Sequence, residues 1–240
     1  MAIKRFIAAC LLGVLSLVQV AIASELTLEN STLYQYKILG EIQEDFVSGT
    51  NSSSQVGWLG WGVGSGTPAQ IASEANRPGI FNLTTGAVSG TNARIFLRVN
   101  TELIFVGNTF LDVLWVNRLN MNDANTTARF GMWRDTAAVN NGMYFEKLDA
   151  DTNWQCEIME ASAPTRADSG VAVDTSFHDF RIVRQGNTLT QFFIDGVKVC
   201  TITATFTANA ISPLAAIINS AAANKTMSLD YFQLRYGVSR

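Results

Sequence analysis

Histidine is nearly missing from this chain: His178 is the single copy among 240 residues. Proton-shuttling catalysis and structural zinc sites usually draw on more than one, so both have little raw material here. Cysteine is scarce too, and neither Cys156 nor Cys200 belongs to a C-x-x-C arrangement. Charged residues make up only 15% of the chain, and no Lys/Arg-rich run supplies the electrostatic footprint of a nucleic-acid binder. No long stretch has the apolar period of a helix, and no G-x-S-x-G elbow offers a hydrolase nucleophile. The polar bulk comes instead from Asn, Thr, Ser and Gly, residues of turns and β-surfaces.

What is present begins with a leader. Lys4 and Arg5 precede an apolar run from Phe6 to about Ala23, and Ala21-Ile22-Ala23 supplies the small-x-small pattern read by signal peptidase. A retained anchor competes with this reading because the run approaches spanning length. Gln19 and the Ala-x-Ala ending favour cleavage. Residues 1–23 are therefore expected as a signal peptide, with the mature chain starting at Ser24. Removing Lys4 and Arg5 takes the net charge from −3 to −5. No membrane association is expected after cleavage. In an oxidising compartment Cys156 and Cys200 could pair; the alternative is two buried thiols. Asn30, Asn51, Asn82, Asn125 and Asn224 open N-x-S/T sequons, which matter only in a host that glycosylates exported proteins.

Short runs rich in β-branched and aromatic residues recur between Gly, Asn, Asp and Pro. Leu33 to Leu39, Val56 to Val63, Ala93 to Val99, Leu111 to Leu119, Ala128 to Arg134, Met143 to Leu148 and Trp154 to Met159 all read as strands. Phe177 to Arg184, Leu189 to Ile194 and Val197 to Ala204 are the most regular, with Asp195-Gly196 marking a tight hairpin. About fourteen such strands predict an all-β fold, a two-sheet antiparallel sandwich of the jelly-roll kind. Residues 24–43 form a lead-in strand and 44–240 one sandwich domain.

The segment FHDFRIVRQGNTLTQFFIDGVKVCTIT, Phe177 to Thr203, resembles a hairpin of the concanavalin A-like lectin/glucanase superfamily, with Phe177 where that family often has Trp. SLDYFQL, Ser228 to Leu234, is similar to its last strand. EDFVSGT (Glu44 to Thr50), GWLGW (Gly57 to Trp61) and EANRPGIFNLTTG (Glu74 to Gly86) resemble phage and bacterial proteins of this fold, with Arg77 where a His often stands. The resemblance implies a concanavalin A-like jelly roll. It leaves function open, since that sandwich carries lectins, hydrolases, lyases and structural parts.

Catalysis is poorly supplied. The superfamily's glucanases carry an E-x-D-x-E run, which sets alternate acids on one strand face. Glu146 to Asp151 is the nearest approach, and it fails because Glu146 and Asp149 differ in parity. His178 alternates with Phe180 and Ile182 and reads as a packed strand histidine. Sugar sites pair aromatic faces with hydrogen-bonding side chains, so Trp133, Arg134, Tyr144 and Glu146 are the ligand-binding candidates. Trp133 and Arg134 point to opposite faces, so only one can line a given groove. Trp58, Trp61, Trp115 and Trp154 read as core. No cofactor is expected; calcium, common in the superfamily, would have only Asp149, Asp151 and Asn153 as local ligands. The expectation is a secreted or virion-surface module that binds a glycan or surface polysaccharide, with self-association or virion partners open. A polysaccharide-degrading enzyme with diverged catalytic residues and a purely structural particle component are the alternatives.

Overall fold

The computed structural model describes residues 36–46, 58–63, 66–71, 74–97, 104–105, 109–121, 124–134, 139–206 and 210–239. The expected leader, its cleavage site and the sequons at Asn30 and Asn51 lie outside these residues. The described residues form strands and no helix. In chain order these are β1 (Tyr36–Glu44), β2 (Trp58–Val63), β3 (Thr67–Ile71), β4 (Ile80–Thr84), β5 (Asn92–Leu97), β6 (Ile104–Phe105), β7 (Thr109–Leu119) and β8 (Thr126–Trp133). There follow β9 (Gly142–Lys147), β10 (Asn153–Glu160), β11 (Ala163–Ala172), β12 (His178–Gln185), β13 (Leu189–Ile194), β14 (Val197–Thr203), β15 (Ala210–Asn219) and β16 (Thr226–Ser239).

Two antiparallel sheets result. The first runs β14-β13-β12-β7-β16-β4-β3, with β1 paired to the far half of β16. The second runs β11-β10-β9-β8-β15-β5-β2, with β6 beside β15. The expected lead-in segment is thus partly a member of the first sheet. Besides the two-residue β6, one strand lies where the sequence pattern places none: β11, between Met159 and Phe177, is written in Pro, Ser, Asp and Gly. Its outer edge is exposed and it gains its place by pairing with β10, so tertiary context overrides weak propensity.

Alternation explains the rest. On β7, Leu111, Val113, Trp115 and Leu119 join the core, while Asp112 pairs with Arg181 on the outside through two hydrogen bonds of 2.7 and 2.9 Å. On the second sheet Phe130, Phe145 and Trp154 face inward and meet Phe180 from β12, with ring centroids 4.6, 5.1 and 5.0 Å away. Each such contact adds about 0.5–1.5 kcal/mol beyond burial itself. Trp115 and Trp154 are core, as expected. The interior also holds polar groups, among them Lys147, Asn117 and Arg184, and Arg184 is the largest. It is buried at the end of β12, donates to Thr190 Oγ1 (2.6 Å) and to the carbonyls of Asn187 and Ala204, and burial lowers it to about 10.

Two devices fasten the sheets. Cys156 on β10 and Cys200 on β14 form a disulfide with 6.5 Å between Cα atoms, joining the two sheets near their β11 and β14 edges. The Asp195-Gly196 turn has positive φ at both residues, 51° and 78°, as a tight hairpin of this twist requires. Asp195 then accepts from the Asp179 amide (2.9 Å) and faces His178 Nδ1 (2.6 Å), while Asp174 faces His178 Nε2 (3.0 Å).

The disulfide closes a loop of 44 residues, worth about 4 kcal/mol in the chain-entropy account. Replacing both cysteines with alanine should lower Tm by about 10 °C, read by calorimetry; a change within 2 °C would mean that the bridge adds nothing. His178 gives a second prediction. Burial opposes its charge, yet the hydrogen bonds to Asp195 and Asp174 outweigh that and raise its pKa above 6.5. Its contribution to stability is complete below pH 6.5 and is lost as pH rises through the higher folded-state value. A fall in Tm across that window should therefore shrink in His178→Gln.

Candidate functional site

The second sheet buries one face against the core and leaves the other facing outward. Strand register arranges that outer face in rows. The first row reads Ala216, Arg129, Glu146, Gln155 and Asp168 across β15, β8, β9, β10 and β11. The next reads Leu214, Gly131, Tyr144, Glu157 and Arg166. A third carries Ser212, Trp133, Gly142, Met159 and Pro164. The face is thus apolar around Trp133, Leu214 and Phe96 and strongly polar toward β10 and β11.

On the apolar side, Trp133, Tyr144, Phe96 and Leu214 form their own buried cluster. The Trp133 and Tyr144 rings meet edge-on at 5.6 Å, and Trp133 is 4% exposed. Gly142 makes this packing feasible: a Cβ there would lie 2.4 Å from the Trp133 Cβ. Hence the indole supports the face from within the sheet surface and offers little ring to solvent.

On the polar side, Glu146 is almost fully buried and is held by Arg129, with Arg166 Nη2 3.6 Å from its other oxygen. Arg166 also binds Asp151 and lies 3.6 Å from Glu157. The Tyr144 hydroxyl donates to Glu157 at 2.8 Å. Burial, then contact with and repulsion from Glu146, raise Glu157 to about 7, against the opposing pull of Tyr144 and Arg166. Burial and the neighbouring carboxylates likewise raise the Tyr144 phenol, keeping it a donor. At the rim the Asp168 carboxylate accepts from the Gly170 amide and the Asn153 side chain, which lower its pKa.

Three of the four sequence candidates therefore share one face: Trp133, Tyr144 and Glu146 lie on neighbouring strands β8 and β9. Arg134 follows the end of β8, is exposed, and has opposite parity. The guanidiniums that Glu146 meets are Arg129 and Arg166. Arg129 was legible, being four residues before Trp133 on the same strand. Glu157 was legible by the same parity on β10. Arg166 was not, because β11 carries no strand signal. The three acids and amides proposed for calcium have protein partners: Asp149 accepts from Thr127, Asp151 from Leu148 and Arg166, and Asn153 donates to Asp168. Among the described residues no three His, Cys, Asp or Glu side chains gather as a metal site.

A second charged cluster lies on the first sheet. A bulge in β16 exposes Asp230 to Arg77, Arg118 pairs with Glu74, and both guanidiniums cover the Phe177 ring at 3.9 and 4.5 Å. Its charges neutralise one another and fasten the turn at residues 74–77.

No protein family's sequence profile matches the chain, and no curated protein does. Solved structures are similar in fold. A protein of unknown function from Shewanella oneidensis MR-1 superposes with TM-score 0.60 and 16% identity over 89% of this chain and 93% of that one. The carbohydrate recognition domain of Emp47p gives 0.55 and 9%, over 82% and 95%. What they share with this chain is the two-sheet antiparallel β-sandwich. A structure from work on endo-acting O-glycanases that the human gut microbiota express to initiate mucin breakdown also shares it, with TM-score 0.57 and 14% identity over 85% and 100%. At these identities the likeness is one of fold, in line with the concanavalin A-like sandwich that the sequence resembles.

Trp133 is a packing residue by its burial. Trp133→Ala should cost about 3–5 kcal/mol and lower Tm markedly. A variant with near-native Tm would return the indole to the solvent-facing surface.

Proposed function

We propose that this chain is an exported, non-catalytic glycan-binding module, and that it binds through the outer face of the second sheet. The supporting observation is the polar belt Arg129, Glu146, Glu157, Arg166 and Asp168, carried on four adjacent strands of a fold that carbohydrate recognition domains share. Rigid strands hold donors and acceptors at fixed spacing, which suits a hydroxyl-rich ligand. Arg129 and Arg166 keep 26% and 31% of their side chains exposed above the buried carboxylates, so guanidinium donors face outward. Trp133 and Tyr144 keep the floor of that face rigid.

A second reading, a glycoside hydrolase, is favoured by one feature: Glu157 and Glu146 are paired acids of which one is pushed toward neutrality. Against it, the pair stand one register step apart on adjacent strands and share the Arg166 guanidinium, 3.6 Å from each, so both carboxyls are engaged by the protein itself. The outward row of β10 adds Asn153 and Gln155, amides rather than acids.

A glycan array run beside a reducing-sugar release assay separates the readings. Binding without release is expected. Arg166→Ala should weaken binding about tenfold, the worth of one charge-assisted hydrogen bond, and lower Tm as well because Glu146, Glu157 and Asp151 lose a cationic partner. Sugar release that disappears in Glu146→Gln would replace the binding module with an enzyme.

A further inference from the structure

The polar belt is unbalanced in charge. Around Glu157 stand Glu146 on β9, Asp149 and Asp151 in the turn after it, and Asp168 on β11, against Arg129 on β8 and Arg166 on β11. The next cation along the rows, Arg94 on β5, lies beyond Ala216. Five carboxyl groups thus face two guanidiniums, and both guanidiniums are already bound to carboxylates. A sialylated, sulfated or uronate-bearing chain would have to displace those pairs while meeting net negative charge.

A second fact constrains the same place. Glu146 and Glu157 are both almost fully buried, stand one register step apart on β9 and β10, and each has Arg166 3.6 Å away; two buried carboxyls that share one guanidinium favour holding a proton between them. Tyr144 fixes Glu157 through Oε1, so the shared proton lies on a preset path and not on a mobile side chain. Resting on the glycan-binding reading above, we propose that this face takes an uncharged glycan, and takes it only while Glu146 and Glu157 hold one proton between them.

The mechanism follows from Arg166. Its nitrogens lie 3.6 Å from both Glu146 and Glu157 while it binds Asp151, so the guanidinium is shared and partly open to solvent. Loss of the proton leaves two adjacent carboxylates. An inward movement of roughly 0.8 Å would bring Arg166 into full charge-assisted contact with them. That movement withdraws a donor from the outer face and adds a negative charge beneath it. Burial and the Glu146 carboxyl set this change near neutrality, about pH 7. Affinity for an uncharged glycan is then full below about pH 6 and falls as pH rises through 7.

The test uses the full chain on an array of neutral hexose and N-acetylhexosamine oligosaccharides beside sialylated, sulfated and uronate-bearing ones, at pH 5.5 and 8.5, with calorimetry on the hits. Neutral oligosaccharides should bind at least tenfold more weakly at pH 8.5, and acidic ones should not bind. In Glu157→Gln the ratio between the two pH values should collapse to within about twofold, whatever its absolute affinity; His178→Gln, on the other sheet, should leave the ratio intact. Acidic glycans bound as well as neutral ones, a pH-independent affinity, or a ratio surviving in Glu157→Gln would each overturn this inference and leave glycan binding standing. Absence of any glycan binding at either pH would overturn both. Carbon-13 titration of the glutamate carboxyls in the unaltered protein supplies an independent check should Glu157→Gln fail to fold. A step near pH 7 is expected, and titration of every glutamate below pH 5.5 would overturn the shared proton.

Discussion

Phe180 sits between the two sheets with Phe130, Phe145 and Trp154 packed around its ring. Because a strand alternates its side chains with a period of two, seating those three aromatics inward also decides what points outward. Phe130 inside puts Arg129 outside; Phe145 inside puts Tyr144 and Glu146 outside; Trp154 inside, with Cys156 after it, puts Gln155 and Glu157 outside. A one-residue slip on any of β8, β9 or β10 would bury an ionic side chain in the core and expel a ring. The polar face is thus specified by the apolar one, and the hydrophobic driving force that holds the sandwich together also sets the spacing of its charged groups.

Charge burial on that face is costly in isolation. Glu146 is nearly out of reach of solvent, and a carboxylate there without partners would be destabilising by several kcal/mol. Arg129 and Arg166 offset that cost from opposite sides, and the Tyr144 hydroxyl does the same for Glu157. Such a network stabilises little compared with an apolar replacement of equal volume, so its presence on a sheet face points to a role other than holding the fold.

The sandwich was legible because its signals are local: alternation along β7, β8 and β12, and the Asp195-Gly196 turn. Parity alone also brought Trp133, Tyr144 and Glu146 to one side. Two things were hidden. β11 has a loop-like composition, and only its pairing with β10 makes it a strand, so Arg166 and Asp168 could not be placed. Whether an indole on the outer face is open or covered depends on packing with Phe96 and Leu214, residues far away in sequence. The choice between a disulfide and two thiols at Cys156 and Cys200 likewise rests on which strands end up as facing edges, and long-range topology decides that.

The strand orders carry a consequence for the order in which the protein can assemble. β16 pairs with β7, β4 and β1, and β15 pairs with β8, β5 and β6, so the two strands in the middle of the sheets are the last two described in the chain. As the chain is synthesised, the earlier strands emerge with their central partners still unmade. Hairpins such as β8–β9–β10–β11 and β12–β13–β14 are contiguous and have local partners, whereas β1, β4 and β5 must wait for pairings over one hundred residues distant. Final closure of both sheets therefore waits on β15 and β16, the last strands of the described chain to be made.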